Sequence, residues 1–321
     1  MLIRHCKTTT TQETILCGEA IAKTRVQIAD LLSEYTQDRI YRDLHFNSDR
    51  ILYQMESKSF QLPMKRSFTG LYMVPVTIAG EKYRFVLDSG AQISGVRQEI
   101  LEKINAERMG SGLSIGSIGG TKKMLTAYIL EDIQIGSLTL YQFPVITLHP
   151  PRISPMNSGF YLFDGIIGWD ILSQLDFEID DVAKVWKVLE NRYSFAHPNM
   201  VRAIFPILLV KDAKGNLLKM GLDTGARCGW VNKEKMELLG YELSQDVEMY
   251  GYGVHGIENM NIQLIKEMDF YLYKAHIHLR YMHTGDTNIF ATMPLDGILG
   301  NEIFRNRRIR FINSKEMVLL V

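Results

Sequence analysis

The sequence predicts an all-β protein of two lobes with a short helical N-terminal extension, and three observations lead to this fold class. After about residue 40, short runs rich in Val, Ile, Phe and Tyr alternate with Gly, Asp and Asn, as in strands joined by turns. Three segments recur at nearly constant spacing, which indicates duplication of a domain-sized unit. Ahead of both copies, residues 12–37 carry apolar side chains at helical spacing.

The N-terminal extension is assigned to residues 1–66 and is expected to be mainly helical. One face of the helix predicted over 12–37 carries Cys17, Ile21, Ile28, Leu32 and Tyr35. This helix could dock on the lobes as a structural element, cover a cleft between them, or pair with a partner. The sequence does not choose among these roles.

The duplication is defined by three pairs of matching segments. The pairs are 71–96 with 203–231, 164–172 with 296–304, and 175–189 with 307–320. Landmarks within them lie 135, 132 and 134 residues apart, which is an ordinary domain size.

These repeats divide the rest of the chain into a first lobe, residues 67–195, and a second lobe, residues 196–321. Pro198 and its polar neighbours suit a linker between them. Short helices are predicted at 97–105 and 232–239, one in each copy.

Composition limits the partners and the compartment. The 321 residues have a formal net charge of zero, so nothing suggests a nucleic-acid or membrane-surface partner. Three cysteines are too few for a disulfide framework, and the N-terminus lacks the apolar core of a signal peptide. No run reaches the roughly 20 apolar residues of a membrane span. We therefore expect a cytoplasmic protein.

Each repeat places an aspartate at the end of an apolar run, Asp88 after FVL and Asp223 after MGL. Each is followed by a hydroxyl residue and a glycine, and glycine lets backbone N–H groups approach a carboxylate closely. If the two lobes pack against one another, the carboxyls can meet. Two carboxyls a few ångström apart share one proton, so that one serves as a base towards a water and the other as an acid.

The two motifs, Asp-Ser-Gly-Ala over 88–91 and Asp-Thr-Gly-Ala over 223–226, resemble the signature of retropepsin-like aspartic proteases. The apolar-apolar-Gly runs 166–168 and 298–300 are similar to a second element of that family. The resemblance covers roughly residues 70–321. It implies a bilobal retropepsin- or pepsin-like fold, aspartic endopeptidase activity on a protein or peptide, no cofactor and no metal. We also expect a monomer, because both halves of the predicted catalytic pair are in one chain.

Carried over by position, the resemblance assigns six residues to the catalytic turns. It makes Asp88 and Asp223 the catalytic pair. Ser89 and Thr224 would interlock the two turns by mutual hydrogen bonds. The remaining pair, Gly90 and Gly225, would position the carboxylates.

The resemblance also implies two flaps, hairpins that close over a substrate. The glycine-rich patches between each Asp motif and its apolar-apolar-Gly run fit this role, with tips near 116–121 and 251–256. The residues assigned to substrate binding there are Gly116, Ile118, Gly119, Gly120, Gly251, Tyr252, Val254, His255 and Gly256.

The chain departs from the family pattern after both motifs. Gln92 and Arg227 stand where members often carry Asp, and Trp169 and Asn301 stand where a basic residue is common. A charge-reversed pair is one outcome, in which Arg227 would contact Glu302 or Asp170.

Several of these segments also fit other interpretations. A catalytically inactive peptide-binding module of the same fold is the main alternative. Residues 251–256 match a dinucleotide fingerprint, which requires a strand-to-helix setting. The alternating histidines His276 and His278, with His283, could start a zinc site but lack further ligands. Cys228 is expected to be a small buried side chain rather than a nucleophile.

Overall fold

The computed structural model describes residues 19–25, 52–116, 122–149, 152–153, 160–190, 192–253, 256–285 and 295–321. Residues 19–25 form helix α1. The elements before the linker are β1 Leu52–Met55, β2 Phe60–Pro63, β3 Lys65–Arg66, β4 Tyr72–Ile78, β5 Glu81–Leu87, β6 Gly95–Arg97, α2 Gln98–Lys103, β7 Glu107–Gly116, β8 Lys122–Ile135, β9 Leu138–Leu148, β10 Arg152–Ile153, β11 Phe160–Tyr161, β12 Gly165–Ile167, α3 Trp169–Leu172, β13 Asp176–Asp180 and β14 Val185–Val188.

The elements after the linker repeat this order. They are β15 Met200–Arg202, β16 Pro206–Asp212, β17 Leu217–Leu222, β18 Trp230–Asn232, α4 Lys233–Leu238, β19 Val247–Gly253, β20 Gly256–Leu272, β21 Ala275–Gly285, β22 Gly297–Leu299, a 3-10 turn Asn301–Phe304, β23 Arg308–Ile312, a 3-10 turn Asn313–Lys315 and β24 Met317–Leu320. The short helices predicted at 97–105 and 232–239 are present as α2 and α4. No helix in the described part of the chain is long and apolar enough to cross a membrane.

Each lobe is a closed barrel of six strands. In the first lobe the strand order is β9-β6-β12-β5-β4-β8, and pairing of β8 with β9 closes the ring. In the second lobe the order is β16-β17-β22-β18-β21-β20, closed by pairing of β16 with β20. The prediction of an all-β, bilobal fold is therefore confirmed.

A five-stranded sheet links the lobes, in the order β2-β14-β13-β23-β24. Strand β13 of the first lobe pairs antiparallel with β23 of the second, which sets Phe177 opposite Phe311. Their rings stack with centroids 4.4 Å apart, and Glu178 beside them forms an ion pair with Arg310. The predicted strand-turn-strand units at 175–189 and 307–320 are present. One apolar core accordingly continues from one lobe into the other.

The extension differs from its predicted mainly helical character at its end, because residues 52–66 contribute three strands. Strands β1, β2 and β3 pair with β9, β14 and β4 respectively. In β2, half-buried and exposed residues alternate, as in a strand with one covered face. An unpaired sheet edge can accept an added strand, so residues 52–66 become strands because of edges that distant parts of the chain provide. The sequence of the segment alone does not show those edges.

Helix α1 docks on the second lobe. Ile21 is 2% exposed and packs in a cluster with Val201, Phe205 and Ile298. Arg25 forms an ion pair with Glu316. The described part of the predicted 12–37 helix therefore has a structural contact, and the rest of that helix lies outside the described residues.

Candidate active site

The two aspartates are delivered by equivalent strands. Asp88 follows β5 and Asp223 follows β17, and each strand runs parallel to the apolar-apolar-Gly strand of its own lobe, β12 or β22. The amide of Asp88 donates to the carbonyl of Ile167 at 3.0 Å, and that of Asp223 to Leu299 at 2.9 Å. The second sequence element of each lobe thus holds the end of the strand that carries the aspartate.

The hydroxyl residues beside the aspartates tie the two turns together. Ser89 Oγ donates to the carbonyl of Leu222 at 2.7 Å and accepts from the amide of Thr224 at 3.0 Å. In return, Thr224 Oγ1 donates to the carbonyl of Leu87 at 2.8 Å and accepts from the amide of Ser89 at 2.9 Å. Both side chains are fully buried. These four bonds form the interlock that the resemblance implies.

The glycines of the turns let the carboxyls face one another. A Cβ placed on Gly90 would lie 2.4 Å from Asp223 Cγ, and one placed on Gly225 would lie 2.4 Å from Asp88 Cγ. Each carboxyl therefore packs over the glycine of the opposite lobe, and a larger residue would push the pair apart.

Backbone amides orient each carboxyl from its own turn. Gly90 and Ala91 both donate to Asp88 Oδ1 at 2.9 Å, and Gly225 and Ala226 donate to Asp223 Oδ1 at 2.8 and 3.0 Å. One oxygen of each carboxyl is thereby held, while the other is left for its partner or for water.

The environment favours protonation of the pair. Burial raises the pKa of Asp88 above its usual value, against the opposing effect of the backbone hydrogen bonds. Burial also raises the pKa of Asp223, and the nearby charge of Asp88 raises it further. Both residues remain only half-buried, so water can reach them. The pair can hold one proton at a pH where isolated carboxyls would both be ionised.

The glycine of each apolar-apolar-Gly run allows a close approach behind the turn. A Cβ on Gly168 would lie 2.9 Å from the Ala91 carbonyl, and one on Gly300 would lie 2.8 Å from the Ala226 carbonyl. The next residues, Trp169 and Asn301, donate their amides to those same two carbonyls.

Buried acids hold these loops, and sequence reasoning did not assign them that role. Asp170 accepts from the amide and the hydroxyl of Ser94 at 2.8 and 2.7 Å, and burial raises its pKa to about 6. Glu302 accepts from the amides of Gly229 and Gly300 at 2.8 and 3.2 Å, and burial raises its pKa to about 7. The available signal was an acid two residues after the glycine in both repeats.

The suggested ion pair of Arg227 with Glu302 or Asp170 is not formed among the described residues, because both acids point at backbone amides instead. Trp169 and Asn301 bond across the lobes. Trp169 Nε1 donates to the Ala203 carbonyl at 3.0 Å, and Asn301 Nδ2 donates to the Gly70 carbonyl at 3.2 Å.

The predicted flap residues fall at the ends of two long hairpins. Gly116 ends β7 opposite Lys122 of β8. In the β19–β20 hairpin, Gly251 lies opposite Glu258, Tyr252 opposite Ile257, and Gly256 opposite Gly253. Ile118, Gly119, Gly120, Val254 and His255 lie outside the described residues. The assignment of these hairpins as flaps stays a prediction.

The competing motifs have ordinary structural settings. Residues 251–253 and 256 lie in the paired strands β19 and β20, and β20 does not lead into a helix. His276 Nε2 and His278 Nδ1 both contact Asp269 Oδ1, at 2.7 and 2.9 Å. Among the described residues, no group of three or more potential ligands is arranged to bind a metal ion. Cys228 is half-buried, and burial raises the pKa of its thiol.

Two six-stranded barrels that bring a pair of carboxyls together define the class of bilobal aspartic-protease folds. Residues 74–174 match the family described as "gag-polyprotein putative aspartyl protease". No curated protein matches the chain. The first lobe is therefore similar to retropepsin-like aspartyl proteases over residues 74–174, and the second six-stranded barrel fits a two-lobed fold of that class. This match supports a protease-type function in general.

Proposed function

We propose that this protein is an aspartic endopeptidase whose catalytic pair is Asp88 and Asp223. The proposal rests on one observation: the two carboxyls face one another, and each packs over the glycine of the opposite turn. Two backbone amides of its own turn hold each carboxyl in place. Burial that raises the pKa of both groups supports a shared proton, which the reaction requires.

In the proposed reaction, a water lies between the carboxyls. The ionised carboxylate takes a proton from the water as its oxygen attacks the scissile carbonyl carbon. The protonated carboxyl gives its proton to the carbonyl oxygen, so the tetrahedral intermediate is neutral. As the intermediate collapses, the carboxyl that took the proton from water gives it to the amide nitrogen and the C–N bond breaks. A hydroxyl of the intermediate returns its proton to the other carboxylate, so the pair again holds one proton.

The substrate would be a peptide held in extended form between the lobes. The hairpins β7–β8 and β19–β20 would cover it and pair with its backbone as added strands. The glycines near their ends suit close approach to a peptide backbone.

The test is cleavage of a diverse peptide mixture by the purified full chain, read by mass spectrometry between about pH 3 and 8. We expect cleavage that a statine-type transition-state mimic inhibits. Asp88→Asn and Asp223→Asn should each lower turnover by about a thousandfold or more, because each removes one half of the acid–base pair. EDTA should leave activity intact, since the carboxyls rather than a Lewis acid activate the water.

The matched control is Asp132→Asn, which removes an exposed carboxyl of the first lobe. It should retain turnover, and circular dichroism should show all three variants folded. Peptides that bind without being cleaved at any pH would instead establish the inactive peptide-binding module. Near-normal turnover by either catalytic variant would disprove the shared pair.

A further inference from the structure

A pocket of about 330 Å³ lies where the start of the first lobe meets the second lobe. Its volume is within the range of small-ligand sites. The lining consists of Arg66, Ser67, Phe68, Gly70, Arg227 and Arg305. Three guanidinium groups thus gather in one concavity, one from the end of the N-terminal extension and two from the second lobe.

The positive charge of this pocket lacks acidic partners in the described part of the chain. None of the three arginines forms an ion pair with a described carboxylate, although other arginines, such as Arg97 with Asp164, do. Arg66 instead donates to the Gly70 carbonyl at 3.4 Å and lies over the Tyr72 ring.

Two acids that interact with groups at the pocket, Asp181 and Glu302, are engaged elsewhere. Asp181, whose charge acts on Tyr72, pairs with Lys184 at 2.5 Å. Glu302 interacts electrostatically with Arg305 but accepts hydrogen bonds from backbone amides. Its raised pKa of about 7 leaves it partly protonated at neutral pH. Like charges held together without a counter-charge repel one another, so the pocket favours an anion.

The pocket is adjacent to the second catalytic turn. Arg227 follows Asp223 by four residues, a length of chain that spans at most about 14 Å. On the other side, the Gly70 carbonyl is joined to the Thr224 carbonyl through Asn301 Nδ2, at 3.2 and 3.3 Å. An extended peptide rises about 3.3 Å per residue, so a substrate residue within roughly four positions of the scissile bond can reach the pocket.

We propose that this arginine pocket is a specificity subsite that binds an acidic side chain of the peptide substrate. The planar guanidinium fork matches a carboxylate, and two or three such groups select charge rather than size. Phe68, which is 77% exposed, adds an apolar surface for the stem of that side chain. This proposal rests on the proposed peptidase function and names the class of substrate.

The test uses peptide pairs that differ only as Glu or Gln at each of four positions on either side of a cleaved bond. At one position we expect the wild-type kcat/KM to favour Glu by about tenfold or more, as charge-assisted hydrogen bonds allow. Arg227→Gln and Arg305→Gln should reduce that Glu-to-Gln ratio towards one. Arg280→Gln, which removes an exposed charge elsewhere on the second lobe, should preserve the ratio.

Two further arms separate the possible failures. Binding of the same pairs to Asp88→Asn, which should not turn them over, should show the same Glu preference in Kd, so the pocket is tested even if no peptide is cleaved. Inorganic phosphate should slow cleavage of the Glu peptide more than that of the Gln peptide. Equal use of Glu and Gln at every position, or equal slowing of both peptides by phosphate, would overturn the subsite.

Discussion

The two lobes support their aspartate turns with different chemistry at equivalent positions. In the first lobe, Ser94 Oγ accepts from the Gly168 amide at 2.9 Å and donates to Asp170, so a hydroxyl and a short acid share the task. In the second lobe the serine position is Gly229, and the longer Glu302 reaches the equivalent Gly300 amide directly.

The longer acid leaves one atom without a partner. Glu302 Oε2 is buried and forms no hydrogen bond within the described residues, whereas both oxygens of Asp170 accept hydrogen bonds. The pKa is raised to about 7 for Glu302 and to about 6 for Asp170. Replacing a hydroxyl and a short acid by glycine and a long acid therefore keeps the geometry of the turn but makes its support less polar and more dependent on pH.

The largest expected effect tests the interlock of Ser89 and Thr224, in which the two lobes are alike. Ser89→Ala and Thr224→Ala each remove a buried hydroxyl that makes two hydrogen bonds across the lobes. Each should lower the free energy of unfolding by about 2–4 kcal/mol, because a buried amide and a carbonyl lose their partners. Urea unfolding of the two variants should give losses within about 1 kcal/mol of each other. A loss in only one lobe would show that the interlock is not symmetric.

The next effect tests the buried acids Asp170 and Glu302, in which the two lobes differ. Asp170→Asn should lower the free energy of unfolding by about 1–3 kcal/mol. The NH2 group of asparagine would face a hydrogen-bond donor that now donates to the carboxylate, so one hydrogen bond would be lost. Glu302→Gln should instead raise the free energy of unfolding by on the order of 2 kcal/mol at pH 8, since it removes the cost of ionising a buried acid. Urea unfolding at pH 8 measures both, and equal destabilisation would remove the contrast between the lobes.

The same acids predict the pH dependence of stability. A carboxyl whose pKa is raised on folding favours the fold below its unfolded pKa, and this contribution is lost as pH rises through its folded pKa. For Glu302 the window runs from its ordinary 4.5 to about 7. Wild-type unfolding free energy should fall across that window, and Glu302→Gln should flatten the fall. A wild-type curve with no slope there would contradict the raised pKa.

A smaller effect compares the alanines that follow the two Asp-hydroxyl-Gly turns. Replacing both Ala91 and Ala226 with Ser should move the acid limb of the pH–rate profile down by about half to one unit, because a hydroxyl donated to the ionised form lowers its pKa. The shift is measured from kcat/KM against pH, with each single variant as the internal comparison. An unmoved acid limb would show that other groups set the titration of the pair.

The smallest effect concerns the two long hairpins. Gly116→Ala and Gly251→Ala should each slow turnover about threefold while leaving the melting temperature nearly unchanged, if the hairpins must move over a substrate. Kinetics and thermal unfolding on the same samples decide the point. A larger loss of stability than of turnover would identify these glycines as ordinary strand residues.

The sequence predicted those features that depend on short motifs. The order of aspartate, hydroxyl residue and glycine in two copies indicated turns whose carboxyls could meet, and the family resemblance of these motifs implied the interlock that the structure contains. Features that depend on distant segments were not predictable in this way. The strands of residues 52–66, the cross-lobe bonds of Trp169 and Asn301, and the arginine pocket each join residues far apart in the chain.

The sheet that links the lobes places opposite charges on a symmetry axis. Across β13 and β23 the central pair is Glu178 with Arg310, and these two residues occupy the same position in the two repeats. In a dimer of identical subunits, a residue on the two-fold axis meets its own copy, so a charged residue there would face a like charge. Because both repeats share one chain, the buried Glu178 meets the partly exposed Arg310 in an ion pair that a symmetric homodimer could not form. Fusion of the repeats thus allows the sequence to be asymmetric where the fold is most symmetric.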